Sequence, residues 1–342
     1  MDKIKQKFQV AVLCMTYNQS KYITDTMNGF TMQQTDFPFV CMIVDDASTD
    51  GEQEVIRKYL EDNFNFSEGS TAFNKETDYG FITYAQHKTN KNCYFAVLYL
   101  KENHYSQRRP KMGYLSEWRD MCKYEALCEG DDYWVDPQKL QIQYDFLEKN
   151  TEYSFCFHNA FVIETTKTSQ LVKSFCDYKN DTDFTIIDAI NRWSIPTASI
   201  MFKIDAGHPY PNWMAKIYSG DLSLSLILLS KAKGYYINKY MSVYNLNKCN
   251  ESATAVVIRR GVSFMKSEHL KLFQSLYNMP NLTHEISKAL DIKVLKLQQS
   301  YRYELHKEKR QYYKFLFSKS SFCLFLKDIK KKMVNCIIKH FG

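Results

Sequence analysis

QVAVLCM (residues 9–15), NQSKYITDTMNGFTMQQ (18–34) and FVCMIVDDASTDG (39–51) decide the fold. The first and third segments carry short, β-rich apolar runs, Gln9–Met15 and Phe39–Val44. Such runs suit strands buried on both faces of a parallel sheet. Between them Ile23, Met27 and Phe30 recur at i, i+4 and i+7, which makes one helical face apolar. Strand, helix and strand make a βαβ unit, whose crossover is right-handed.

Outward from this unit the pattern continues. A helix follows Asp50, with Val55, Ile56, Tyr59 and Leu60 on one face. Asn92–Leu100 and Lys123–Cys128 read as further strands. Asp136 as N-cap and Pro137 at the first helical position open a helix to Asn150. Tyr153–Ile163 reads as a strand, and 165–190 as a polar loop region. Ser194–Phe202 enters a strand, Asp221–Gly234 is a helix stopped by glycine, and YYINKYMSVYN (235–245) is a strand. From about Gly261 the chain is helical and basic. No internal repeat or long linker appears. The expected organisation is a catalytic domain over 1–255 and a helical, basic extension over 256–342.

The 342 residues are 45% apolar and 24% charged, as in a globular protein with a full-sized core. No run reaches the roughly 18–20 apolar residues of a membrane-spanning helix. The N-terminus MDKIKQKFQV has no apolar signal region, so the cytoplasm is expected. Ten cysteines form no C-x-x-C pair and read as reduced core residues.

Two constellations carry chemistry. Asp45 and Asp46 end a buried strand, at the sheet edge where open α/β sheets bind ligands. A carboxylate there can accept hydrogen bonds from a nucleoside base or ribose. Ser48, Thr49 and Asp50 read more plainly as a helix cap. An uncompensated carboxylate pair at the end of an apolar strand is costly, so capping does not account for Asp45 and Asp46. In CEGDDYW (128–134), Glu129, Asp131 and Asp132 crowd into four residues. Close carboxylates repel unless a cation sits between them, and a hard divalent ion held with substrate phosphates resolves that cost. The plainer alternative is an acidic turn before Asp136. Tyr133 and Trp134 either wall a sugar or pack in the core, and His158 reads as a partly buried histidine.

AVLCMTYNQSKYI (11–23), MIVDDASTDG (42–51) and ALCEGDDYWVDPQKLQIQYDFLEKN (126–150) together resemble the family 2 glycosyltransferases of the bacterial surface-polysaccharide type. The resemblance is strong over about 8–163 and weaker over about 194–246, and it does not reach the tail. It implies an α/β GT-A fold: a Rossmann-like, mostly parallel central sheet, flanking helices and here a helical C-terminal extension. It further implies transfer of a sugar, with inversion, from a nucleoside-diphosphate sugar such as a UDP-sugar to a hydroxyl of a glycan or lipid-linked acceptor.

By position, the resemblance places Thr16 and Tyr17 beside the nucleoside and Asp45 and Asp46 on its base or ribose. Glu129-Gly130-Asp131 stands where the family has its D-x-D metal motif. Asp131 is then the main contact of Mn2+ or Mg2+, and Asp132 supports it or touches the sugar. Glu129 replaces the first acid of that motif and positions the sugar or metal-bound water. Asp221, before the helical run LSLSLIL, stands where the family has its catalytic base; by itself it reads as an N-cap. Residues 64–122 depart from the family pattern. Arg108, Arg109, Lys111, Arg119 and Lys123 are its cationic candidates for the diphosphate, Lys123 first, against a solvated basic loop as the plain alternative.

From Lys307 to Gly342 ten Lys or Arg face two acids, interleaved with aromatic and aliphatic anchors. That mixture suits an amphipathic helix on an anionic membrane, at the inner face of the cytoplasmic membrane. Packing on the domain is the alternative, and no nucleic-acid-binding fold accompanies the charge. The rival functions are a nucleotidyltransferase on a similar scaffold, whose Gly-rich basic loop is replaced here by TYNQSKY (16–22), and a non-catalytic nucleotide- or membrane-binding protein. No phosphate-loop, zincin or nucleophile-elbow motif is present.

Overall fold

A computed structural model describes residues 7–107, 109, 111, 113–165, 170–192, 194–210, 220–246, 260–279 and 282–308. The chain divides into two compact units. The first holds the described residues up to 189, then 194–210 and 224–246; the second holds 190–192, 220–223 and those from 260 on.

The first unit begins β1 (Val10–Thr16), α1 (Ile23–Thr31), β2 (Phe39–Asp45), α2 (Glu52–Asn63), β3 (Phe73–Glu76), β4 (Gly80–Gln86) and β5 (Cys93–Leu100). It continues α3 (Ser116–Arg119), β6 (Tyr124–Leu127), β7 (Tyr133–Trp134), α4 (Lys139–Lys149), β8 (Tyr153–Thr165), β9 (Gln170–Ser174) and β10 (Thr182–Phe184). After α5 (Ile186–Asn191) come β11 (Met201–Lys203), α6 (Ile204–Gly207), α7 (Gly220–Lys231) and β12 (Lys233–Leu246), with residues 190–191 of α5 and 220–223 of α7 falling in the second unit.

These strands form one sheet in the order β10-β12-β8-β11-β6-β1-β2-β5-β4-β3, with β7 on β12 and β9 on β8. Its centre, β6-β1-β2-β5, is parallel. β1, β2 and β5 are buried along nearly their whole length, which is why they read as unbroken apolar runs. Ile23, Met27 and Phe30 of α1 and Ile56 and Leu60 of α2 join the core against this sheet. The fold is that of the GT-A α/β class, a large central sheet with parallel strands at its heart and helices on its flanks.

Three local expectations change. α4 starts at Lys139, because Asp136 Oδ1 accepts the Gln138 N–H (2.8 Å) and holds 136–138 in a turn. The polar stretch 165–190 contains β9, antiparallel to β8; all five of its residues are exposed, so no inward-facing period marks it. Gly234 does not stop a helix. It lies in β12, where an added Cβ would stand 2.4 Å from the Phe155 ring.

In the second unit α8 (Val262–Ser275) and α9 (His284–Glu308) pack on each other, and Leu272, Phe273, Leu290, Val294 and Leu297 are buried. The Glu308 carboxylate accepts the Ser263 N–H (3.0 Å). Among the described residues no helix is long and apolar enough to cross a membrane. Residues 309–342, and with them almost all of the basic tail, lie outside the described residues.

Candidate active site

The parallel register brings the two acid clusters to either side of Thr16. Thr16 pairs with Asp45 across β1 and β2. On the other side Leu13 pairs with Leu127, and the Gly130 N–H donates to Met15 O (3.1 Å). A Cβ on Gly130 would stand 2.3 Å from Thr16 Oγ1 and 2.4 Å from Gln19 Oε1. Only glycine lets the acid loop lie this close to the loop after β1.

Asp45 and Asp46 are both fully buried but face different partners. Ala47, with φ +61°, turns the chain immediately after them. A non-glycine residue in the left-handed region costs of order 1 kcal/mol, and such residues cluster at functional sites. Asp45 Oδ1 accepts Ser48 N–H (3.1 Å) and Gln53 Nε2 (2.6 Å). Asp45 Oδ2 is buried without a hydrogen-bond partner among the described residues. Burial raises the Asp45 carboxyl above its ordinary pKa, against the lowering effect of those hydrogen bonds.

Asp46 is spent internally. Its Oδ1 accepts His104 N–H (2.8 Å), and its Oδ2 accepts Tyr105 N–H (3.0 Å) and Lys111 Nζ (2.6 Å). Through these bonds Asp46 fastens the loop after β5 to the sheet edge. Lys111 is thereby its ion-pair partner.

The acid loop is anchored from two elements, α1 and β12. Thr26 Oγ1 of α1 lies 2.9 Å from Gly130 O and 2.7 Å from Asp132 O. Asn245 of β12 donates its N–H to Asp132 Oδ1 (2.9 Å) and its Nδ2 to Asp131 O (2.6 Å). Glu129 is exposed, Asp131 half-buried and Asp132 buried. Burial raises the Asp131 carboxyl, opposed by a hydrogen bond from the Gln19 side chain. Asp132 is pushed well above the carboxylate range by burial, then by the neighbouring Asp131 and Glu129 charges. Its Oδ2 has no hydrogen-bond partner among the described residues. Three crowded acids with a buried, unpartnered carboxylate oxygen fit a hard divalent cation, which relieves their repulsion. Among the described residues no three His, Cys, Asp or Glu side chains are placed to hold a metal unaided.

Glu52, the first residue of α2, has no counterpart in the sequence reading. Fully buried, it ties the loops after β1 and β2 together. Its Oε2 accepts Gln19 N–H (2.9 Å) and Ser48 Oγ (2.8 Å), and its Oε1 contacts Thr16 Oγ1. Asn18, at φ +54°, accepts the Thr49 N–H (2.8 Å) across the same seam. Tyr17 is half-buried beside them.

Two expected site residues lie elsewhere. Lys123 precedes β6, at the sheet edge opposite the acid loop, and pairs with Glu148 (3.2 Å). The four residues of β6, at about 3.3 Å each, and Cys128 separate it from Glu129. There it lines a groove of about 630 Å³ with Arg119, Lys203 and His208. Trp134 is a core residue, donating Nε1–H to Ala198 O (2.8 Å) and packing edge-on against Phe30. Of the other cations, Arg109 pairs with Glu102 and Arg119 with Asp120. Arg108 lies outside the described residues. His158 is fully buried, its pKa well below normal through desolvation.

Asp221 belongs to the second unit, at the start of α7. Its Oδ1 accepts the Leu222 N–H (2.7 Å), and burial raises its carboxyl.

The sheet order and flanking helices are those of a GT-A-type α/β fold. The family model described as "Glycosyl transferase family 2" matches residues 11–83. Among curated proteins, the uncharacterized protein Rv1520 of Mycobacterium tuberculosis and the uncharacterized protein Mb1547 of Mycobacterium bovis are each 30% identical over 159 residues. The match covers 45% of this chain and 36% of each relative, so the chain spans about a third of the length of the curated relatives it matches. Among solved structures, Staphylococcus aureus TarS 1–349, in complex with UDP-GlcNAc, superposes with a TM-score of 0.54 at 14% identity. That match covers 86% of this chain and 73% of TarS 1–349. The mannosyltransferase PcManGT of Pyrobaculum calidifontis, in complex with GDP-Man and Mn2+, gives 0.55 at 13% identity, over 96% of this chain and 81% of that one. At such identities the likeness is one of fold.

Proposed function

We propose that the chain is a glycosyltransferase that transfers a sugar from a nucleoside-diphosphate sugar, a UDP-sugar by preference, to an acceptor hydroxyl. The carrying observation is the meeting of both acid clusters around Thr16 at the carboxyl edge of the parallel strands. The family model over 11–83 and the GT-A neighbours support the reading.

Asp131, half-buried and restrained by Gln19, would hold Mn2+ or Mg2+ together with the donor's phosphates, and Asp132 would support it. The cation, when bound, supplies positive charge for the leaving diphosphate. Asp45 faces the base or ribose, with Thr16 and Tyr17 bordering the nucleoside, and Glu129 positions the sugar. Asp46 stays in place as the anchor of the loop carrying Lys111. Asp221, whose raised carboxyl pKa suits proton acceptance, deprotonates the acceptor hydroxyl. The acceptor oxygen then bonds to the anomeric carbon as its bond to the diphosphate breaks, inverting the configuration. A glycan or lipid-linked acceptor, assembly of a surface polysaccharide and a membrane-facing tail over 307–342 complete the proposal.

Nucleotide-sugars should raise the thermal midpoint more with Mn2+ than without it. Asp131→Ala should abolish the metal-dependent part, and Asp221→Asn should keep donor binding and lose transfer. Nucleotide binding with neither transfer nor release of UDP from any UDP-sugar would leave a silent binding protein instead. Wild-type transfer by the Asp221→Asn variant would remove Asp221 from the reaction.

A further inference from the structure

Tyr105 is 58% exposed, yet its backbone is tied to a fully buried carboxylate: its N–H donates to Asp46 Oδ2 (3.0 Å). The preceding His104 N–H donates to Asp46 Oδ1 (2.8 Å), and Lys111 Nζ closes on Oδ2 (2.6 Å). His104 is buried, its Nδ1 lies 2.9 Å from the Tyr114 hydroxyl, and Tyr114 stacks on Tyr79. Lys111 Nζ also stands 5.5 Å from the centroid of the Tyr105 ring. The loop after β5 is thus pinned before and after Tyr105, while Tyr105 itself stays open to solvent. Between Lys101 and Arg109 the other exposed described residues are all polar.

A lone surface aromatic is ordinary. What sets this one apart is its footing and its place. A side chain on an already ordered backbone gives up less freedom when a ligand stacks on it. Its place follows from the sheet order β6-β1-β2-β5: the acid loop follows β6, Asp45 ends β2, and Tyr105 follows β5. The acid loop and the loop after β5 leave the edge three strand spacings apart, about 14 Å, with Thr16 and Asp45 between them. A nucleoside diphosphate laid along this edge, its phosphates at the acid loop and its base at Asp45, brings the base to the β5 side, where Tyr105 stands.

The geometry points to Tyr105 as the aromatic platform on which the donor's nucleobase stacks, an inference that rests on the nucleotide-sugar reading above. The segment that departs from the family pattern then supplies part of the donor site. Every base has a π face, so stacking adds affinity whatever the base and leaves the choice among bases to the polar groups around it.

The test titrates the full chain with UDP by isothermal calorimetry. Tyr105→Ala should weaken UDP about tenfold, the loss of one base–aromatic stack, and Tyr105→Phe should bind like the wild type. The urea midpoint should hold in both variants, because the replaced ring is exposed. A second readout follows the base itself. In saturation-transfer NMR, saturation of the uracil protons relative to the ribose protons of UDP should fall in Tyr105→Ala and persist in Tyr105→Phe.

Unchanged UDP affinity in Tyr105→Ala overturns the proposal. So does equal loss in Tyr105→Phe and Tyr105→Ala, which assigns the contact to the hydroxyl, and so does a loss that comes with a lowered urea midpoint, which marks collapse of the loop. If the wild type binds UDP and is indifferent to Tyr105→Ala, the nucleotide-sugar reading stands and the platform alone falls. If the wild type binds no UDP, that reading falls and takes the platform with it.

Discussion

Replacing Lys139 with methionine should make the protein more stable below pH 7 and no more stable near pH 10. Lys139 is completely buried, with its Nζ 3.9 Å from the centroid of the Trp134 ring. Nζ has no hydrogen-bond partner among the described residues. Burial lowers its pKa from 10.5 to about 7. At about 1.4 kcal/mol per pH unit, this drop sets roughly 5 kcal/mol against carrying the charge in the folded state. The ring face returns about 2 kcal/mol to the cation. Methionine, similar in length and uncharged, gives up less than about 1.5 kcal/mol in packing. The variant should therefore gain roughly 2 kcal/mol where lysine is charged. The folded pKa lies below the unfolded one, so Lys139 costs nothing above about pH 10.5. The cost grows as pH falls and levels off once pH passes below about 7. Urea unfolding of both proteins at pH 6.5 and pH 10 reads the difference directly from the midpoints. An equal difference at the two pH values, or a less stable methionine variant at pH 6.5, would refute the burial argument.

Asp132→Asn should stabilise the ligand-free protein, with a gap that widens as pH rises from 4 toward 8. The raised folded pKa of Asp132 means that its contribution is present below about pH 4 and lost as pH climbs through the folded value; parallel thermal melts across that range check the sign. Lys111→Met leaves Asp46 buried without its cation, and a loss of roughly 3 kcal/mol in urea unfolding is expected, as for other broken buried pairs. Gly130→Ala drives a methyl into Thr16 and Gln19 and should cost about 1–3 kcal/mol along with Mn2+-dependent stabilisation by UDP. Unaltered melting with UDP and Mn2+ would show that the acid loop can move away without loss.

The βαβ core and the points where its acids emerge can be read from the residues alone. Both are local: unbroken apolar runs mark β1, β2 and β5, and Asp45 and Glu129 follow their strands directly, so parallel pairing carries them to one edge. The sequence also holds an unused signal about Lys123, since a residue before a parallel strand lies a strand's length from one after it. Which partner each carboxylate takes depends on contacts made across the folded chain. Asp46 meets Lys111 from 65 positions away, Trp134 turns into the core to meet Ala198, and Glu52 closes on Thr16 across 36 positions. Strand periodicity fixes which edge and face a residue occupies, but a hydrogen bond is settled over a few tenths of an ångström by loops folding from distant parts of the chain. Asp45 and Asp46 show the limit: adjacent in sequence and equally buried, they take different partners, Gln53 for one and Lys111 for the other.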